Sequence, residues 1–261
     1  MPCWDPCDYS RNARAQAAWA EELLPLLELA GDETLLDLGS GDGQVTAAIA
    51  DRVPDGQVVG LDASPAMVTH AREEYGCNRP NLEFVLGDMQ AIPFRDGFDR
   101  IFSNAALHWA PRQDLVLGGI ARALRTGGRA VLQMGGAGNA APMLDLLDDL
   151  LASDRWGRFF PRRGPRYAFA DDRTYRELLE EAGLEPVEVS LRPKTMVQQG
   201  WDGLAGWVRT TWLLYTEAVP SEEREEFVDA IVDGYLAGHP ADVAGTVRVP
   251  MVRLQVVAVR P

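Results

Sequence analysis

The chain has 261 residues, 46% of them hydrophobic, and a formal net charge of −14. That length fits one large domain or a core with an added cap, and the acidity argues against a phosphate backbone as partner. No apolar run approaches the roughly 20 residues that span a bilayer, so a globular protein with no membrane and no nucleic-acid partner is expected. The opening MPCWDPCDYS has neither the basic nor the apolar segment of a secretory signal, which makes the expected localisation cytoplasmic. Cys3 and Cys7 form a C-x3-C pair without the further Cys or His residues of a tetrahedral zinc site. With Cys77 they read as free thiols, and no metal is expected.

Residues 12–30 read as an amphipathic helix, broken near Pro25 and ended by Gly31. TLLDLGSGDG is an apolar run that stops in glycines, QVTAAIADRV has helical spacing, and GQVVGLDAS is a second buried strand ending in an acid. SPAMVTHAREEY opens a helix, with Ser64 as N-cap and Pro65 in the first helical position. NLEFVLGD and FDRIFSNAA follow as strands, DLVLGGIARAL as a helix and GGRAVLQMG as a fifth strand. Strands alternating with helices across short turns predict a parallel sheet covered on both faces. Beyond Gly136 the rhythm changes: helices at 140–153, 171–183, 202–218 and 221–238, a strand at 184–191, and a final strand VPMVRLQVVAV. The later helices are expected to cap the C-terminal edge of the sheet, where open α/β sheets hold ligands.

The chemistry starts at the first turn. Gly39, Gly41 and Gly43 let the backbone approach a ligand closely, in a G-x-G-x-G spacing that lacks the last glycine of the dinucleotide fingerprint, because Gln44 stands there. Asp62, at the end of the second strand, can accept both hydroxyls of a ribose. Asp88, ending the third strand, can accept from an adenine amino group while Met89 packs on the ring. Three such features at successive strand ends predict a small molecule containing adenosine.

LLDLGSGDG, VVGLDASPAM, FVLGDM and LRTGGRAVLQM resemble the successive motifs of class I S-adenosylmethionine-dependent methyltransferases, over about residues 32 to 135. The resemblance implies an α/β fold with a Rossmann-like, seven-stranded, mostly parallel sheet, helices on both faces and a helical cap. It divides the chain into N-terminal cap helices (1–31), a cofactor-binding core (32–135) and a helical cap with the last two strands (136–261). It also implies S-adenosyl-L-methionine as cofactor. Asp37 and the turn of Gly39, Ser40, Gly41 and Gly43 then face its methionine part, Asp62 its ribose, and Asp88 and Met89 its adenine. Ala63, Met67 and Asn104 complete the set.

The flanks are similar to two different relatives. WDPCDY, NAALHW and the C-terminal run from GWVRTTWLLY to VPMVRLQVVAVR resemble trans-aconitate methyltransferases. NARAQAAWAEELL is similar to the opening of juvenile hormone acid methyltransferases, which esterify free carboxylates. The shared implication is O-methylation of a small carboxylic acid. Carried over from the esterifying enzymes, Trp109 and Gln16 donate to the substrate carboxylate, and Tyr9 and Trp207 join them as substrate residues. Core packing is the competing role for Trp109 and Trp207.

A carboxylate is already ionised at neutral pH and needs positioning more than a base. A carbon, nitrogen or hydroxyl acceptor would profit from one, and His108 is the candidate. A cofactor-binding regulator without turnover is the remaining alternative. DRWGRFFPRRGPRY, with Arg155, Arg158, Arg162, Arg163 and Arg166, reads either as a solvated loop or as a lip that attracts anions. The acceptor's identity and the oligomeric state are not legible.

Overall fold

Strands and helices alternate from Thr34 onward because each short apolar run stops at a glycine or an acid that turns the chain. The computed structural model describes residues 14–160 and 167–261, with side chains from residue 18 in the first helix. The opening elements are α1 (Arg14–Leu23), β1 (Thr34–Leu38), α2 (Gln44–Ala50), β2 (Gln57–Asp62), α3 (Pro65–Ala71) and β3 (Leu82–Leu86). They are followed by β4 (Phe98–Asn104), α4 (Gln113–Ala123) and β5 (Leu124–Gly135). The rest comprises α5 (Ala141–Ala152), α6 (Asp172–Glu181), β6 (Glu185–Gln199), α7 (Gly200–Thr211), α8 (Leu213–Thr216), α9 (Ser221–Gly238) and β7 (Thr246–Val259).

The seven strands form one sheet in the order β3-β2-β1-β4-β5-β7-β6. The pairs β2–β3, β1–β2, β1–β4 and β4–β5 are parallel, and β7 runs antiparallel to β5. This is the seven-stranded, mostly parallel α/β sheet that the motifs imply. Period-2 alternation sends successive residues to opposite faces. One face buries Leu36, Leu38, Ile101, Leu132 and Val256 with α4 and α6. The other buries Leu35, Phe102, Val131 and Val257 with α1, α2 and α3. Strand order reverses between β1 and β4, which places a ligand crevice at their C-terminal ends.

The break expected near Pro25 is present, and two local departures from the sequence reading follow it. The first helix stops at Leu23, and residues Leu24–Leu27 tighten into a 3-10 turn around Pro25, which cannot donate a helical hydrogen bond. Arg72–Gly76 continue α3 as a π turn in which Arg72 Nε and Nη2 donate to the Phe84 carbonyl at 2.8 and 2.6 Å. The helix expected over 202–218 is interrupted at Trp212, whose φ of −100° and ψ of 32° leave the helical region.

The chain divides into two compact units. Residues 16–137, 167–192 and 253–261 carry the sheet core just described. Within the other unit, α5, α7, α8 and α9 share their own core. Trp156 packs on Phe227 at 4.9 Å, and Trp207 meets Trp212 edge-on at 5.5 Å. Gly234 of α9 lets Leu146 of α5 approach so closely that a Cβ there would lie 2.8 Å from it. Trp201 Nε1 donates to Asp233 at 2.9 Å, tying the start of α7 to α9.

Candidate active site

The glycine turn after β1 is built from backbone hydrogen bonds and one carboxylate. Gly39 and Ser40 donate to the Leu61 carbonyl at 2.7 and 3.2 Å. Asp62 Oδ2 accepts from the Gly41 N–H at 2.9 Å and Oδ1 from the Ser64 N–H at 2.8 Å. The acid that ends β2 therefore holds the turn that ends β1. Burial pushes the Asp62 pKa up against the pull of those N–H groups. Gly39 has φ of 75°, and a Cβ on it would sit 2.2 Å from Ala106 Cβ. Glycine is thus required there twice, by conformation and by the chain that arrives from β4.

Asp37 lies beneath the turn at 3% exposure and accepts from Thr46 Oγ1 at 2.6 Å. Burial raises its pKa from 3.8 to about 7; the Thr46 hydroxyl opposes the rise and the charge of Asp62 adds to it. Ser40 Oγ is buried and has no hydrogen-bond partner among the described residues, so a polar ligand at the turn would satisfy it. Asp88 caps a short turn, accepting from the Gln90 N–H at 2.8 Å, and the Met89 methyl lies near Gly39. Met67 is buried as the third residue of α3, with its N–H capped by Ser64. Ala63 follows Asp62 between β2 and α3, and Asn104 ends β4.

Beyond Asn104 the chain turns sharply. Ala105 adopts φ of 56°, an uncommon value for a residue with a Cβ, and Leu107–Trp109 form a 3-10 turn. Gln113 Nε2 fastens that turn by donating to the Leu107 and Ala110 carbonyls at 2.6 and 2.8 Å. The Tyr175 hydroxyl in turn donates to Gln113 Oε1 at 3.2 Å. Residues 167–169 cover the turn: Ala168 N–H donates to the His108 carbonyl, and Tyr167 meets Trp109 edge-on at 4.9 Å. Phe169 stacks on Tyr167 at 5.3 Å and lies 5.6 Å from the His108 ring. Trp109 and Tyr167 remain partly exposed.

His108 is buried, and its Nδ1 accepts from the Gly135 N–H at 3.4 Å. Burial, helped by the positive charge of Arg253, lowers its pKa to about 3. The imidazole is neutral at any physiological pH.

The structure thus brings Asp37, Gly39, Ser40, Gly41, Gly43, Asp62, Asp88 and Met89 together around the ends of β1–β3, and Ala106 carries the His108–Trp109 turn against Gly39. Gln16 lies in α1, in its part without described side chains, and Tyr9 lies outside the described residues. Trp207 is fully buried in the helical unit against Trp212. Of the arginine cluster, Arg155 pairs with Glu226 and Arg158 with Glu223 on α9, while Arg162, Arg163 and Arg166 lie outside the described residues. Among the described residues no group of His, Cys, Asp and Glu could hold a metal ion, and no helix is long and apolar enough to cross a membrane. Gln113, Tyr167 and Phe169 escaped the sequence reading. Tyr167 and Phe169 alone had a signal, as aromatic residues bordering the arginine-rich stretch.

The chain is similar to known proteins over most of its length. Residues 35–128 match the family model described as a methyltransferase domain. An uncharacterized methyltransferase, C70.08c, of Schizosaccharomyces pombe is 36% identical over 73% of this chain and 74% of its own length. The trans-aconitate 2-methyltransferase of Deinococcus radiodurans is 30% identical over 99% of this chain and 98% of its own. Among solved structures, geranyl diphosphate C-methyltransferase from Streptomyces coelicolor, in complex with S-adenosyl-L-homocysteine, superposes with a TM-score of 0.57 at 18% identity. That match covers 95% of this chain and 81% of the other.

The chain belongs to the class I S-adenosylmethionine-dependent methyltransferases. Its cofactor is S-adenosyl-L-methionine, and the turn fits that group: the unsatisfied Ser40 hydroxyl and the acid row at the strand ends favour a polar, positively charged ligand.

Proposed function

We propose that the chain O-methylates the carboxylate of a small organic acid. The observation that carries this reading is the state of His108. It stands beside the cofactor turn where a general base would be needed, yet it is buried, neutral, and already uses Nδ1 as an acceptor. An imidazole whose pKa is held near 3 is a poor proton acceptor at neutral pH. An acceptor that arrives ionised avoids the problem, and a carboxylate does so. The relatives named trans-aconitate 2-methyltransferases support the same class of acceptor.

Bound S-adenosylmethionine supplies an electrophilic methyl group on a sulfonium. The chain's own contribution is placement. Asp37, Ser40 and the Gly39–Gly43 turn hold the methionine part, Asp62 with Ala63 and Met67 the ribose side, and Asp88 and Met89 the adenine. Asn104 and the His108–Trp109 turn border the methyl. Trp109, and Gln16 from α1, donate N–H groups to the acceptor carboxylate, while Tyr167 walls it from the other side. Holding the oxygen in line with the methyl is the main catalytic lever that remains when no proton has to move.

The test is adenosylhomocysteine release across mono-, di- and tricarboxylic acids of graded chain length, at saturating cofactor. Esterification of an acid, with kcat flat from about pH 6 to 8, is the expected outcome. Transfer only to an amine, phenol or carbon acceptor, with a pH limb that disappears in His108→Ala, would replace this reading.

A further inference from the structure

The face of the sheet under α1 is apolar through Phe102, Val131 and Val257, and then changes character at its C-terminal edge. Residues paired in register share a face. Asn104 stands opposite Gln133, Gln133 opposite Gln255, and Gly135 opposite Arg253. A row of amides and one guanidinium therefore lies at the C-terminal ends of β4 and β5, where the middle of β7 passes, beside the His108 turn.

Two members are deeply buried. Gln133 is 1% exposed, and its Oε1 has no hydrogen-bond partner among the described residues. Burying an unsatisfied amide is unfavourable, and folded proteins keep such groups for a reason. Rotation of the amide about its last torsion presents an N–H donor at the same place. Arg253 is 3% exposed, with its guanidinium 5.2 Å over the Trp19 ring and its charge felt at His108. His108 spends Nδ1 on the Gly135 N–H, which leaves the proton on Nε2 as a further donor.

We propose that Arg253 and Gln133 form the anion pocket that receives the acceptor's carboxylate. This rests on the carboxylate reading above and identifies which side chains supply the positive field. The planar guanidinium fork matches a carboxylate in two parallel hydrogen bonds, and burial beside an indole strengthens such bonds. The course of α1 fits. At the opposite edge of the sheet, Arg100 Nε donates to the Leu27 carbonyl at 2.6 Å and Arg129 Nη1 to that of Leu26 at 3.5 Å. The segment after α1 is thereby pinned at the N-terminal ends of β4 and β5. Trp19, earlier in α1, lies at the Arg253 edge, so the start of the helix, with Gln16 one turn before Trp19, is delivered there as well.

The experiment compares the native chain with Arg253→Gln and Gln133→Leu, measuring KM for the methylated acid, KM for S-adenosylmethionine and thermal unfolding. Arg253→Gln is expected to raise the acid KM about a hundredfold while the cofactor KM changes less than about twofold. Guanidinium ion added to Arg253→Gly should restore part of the loss. Gln133→Leu removes the unsatisfied amide, so it should keep or raise the melting temperature while raising the acid KM about tenfold. A purely structural role predicts the reverse: lower melting temperature and unchanged KM. If Arg253→Gln does not fold, Gln133→Leu alone decides. An acid KM unchanged in a folded variant, or a rise that falls on the cofactor instead, overturns the pocket while leaving esterification standing. A native chain that esterifies no acid but methylates another acceptor overturns the carboxylate reading and the pocket with it.

Discussion

Replacing Asp37 by Asn should raise the stability of the ligand-free chain at pH 8, although it alters a buried residue of the cofactor turn. The reason is the sign of its titration. Burial raises the Asp37 pKa from 3.8 to about 7, so between those values the folded chain binds a proton that the unfolded chain has released. Stability from this group is complete below pH 3.8 and is lost as pH rises through about 7. The shift corresponds to at most about 4 kcal/mol at pH 8, and Asn, which still accepts from Thr46, should recover part of it. At pH 5 the carboxyl already costs about 1.7 kcal/mol, so the gain from the same substitution should be less than half of that at pH 8.

The same carboxyl couples cofactor binding to pH. With the methionine part held at Asp37 as proposed, its sulfonium and ammonium would favour the ionised carboxyl, and binding should expel the proton that the free chain holds. With a pKa of about 7, release should be about 0.9 proton at pH 6, about 0.5 at pH 7 and about 0.1 at pH 8, and cofactor affinity should rise about tenfold from pH 6 to pH 8. Titration calorimetry in two buffers of different ionisation enthalpy reads the proton count directly. Binding heats that do not depend on the buffer at pH 6, or equal destabilisation by Asp37→Asn at pH 5 and pH 8, would refute the reasoning.

Three further outcomes are expected. Gly39→Ala should cost about 2–5 kcal/mol, because φ of 75° is unfavourable for alanine and its methyl would meet Ala106 at 2.2 Å; denaturant unfolding measures it, and loss of acid turnover should accompany it, since Ala106 leads into the Trp109 turn. Trp109→Phe keeps most of the ring and removes the donor, so the acid KM should rise about ten- to a hundredfold with cofactor affinity unchanged; an unchanged KM removes Trp109 from the carboxylate site. His108 acts on stability in the opposite sense to Asp37: its pKa is depressed from 6.5 to about 3, so the unfolded chain takes up the proton first and stability falls as pH drops through that window. His108→Gln should flatten that acid limb in melting curves between pH 4 and 6.5.

Much of the cofactor half was legible because its chemistry is local. The Gly39–Gly43 turn, Asp62 and Asp88 each end a strand, and Ser64 with Pro65 announces α3; each signal fits within a few residues. The side proposed for the acceptor is assembled from afar, and beyond Trp109 and Gln16 the sequence reading did not reach it. In RLQVVAV, Arg253 and Gln255 alternate with apolar residues just as a solvent-facing row does, and only the packing of α1 on that face shows Arg253 to be buried. Gln113 reads as an ordinary polar residue at a helix start, until the Leu107 and Ala110 carbonyls and the Tyr175 hydroxyl are seen to converge on it. The extent of β6 was missed because Arg192, Pro193 and Lys194 look like a strand end, whereas the strand runs on to Gln199.

The two halves differ in charge as well as in legibility, and the difference bears on mechanism. Asp37, Asp62 and Asp88 stand at or just beyond the ends of β1, β2 and β3. Arg253, the His108 Nε2–H and the Trp109 indole stand near the C-terminal ends of β4 and β5, Arg253 from the middle of β7. A positively charged methyl donor and a negatively charged acceptor would each meet the opposite sign along one sheet edge, with Gly39 against Ala106 as the seam between them. On the carboxylate reading that polarity would position both reactants, and transfer would neutralise both reacting groups: the sulfonium becomes a thioether and the acceptor carboxylate an ester. The field that gathers the reactants would then hold both products less tightly, because each has lost one of the charges it responds to.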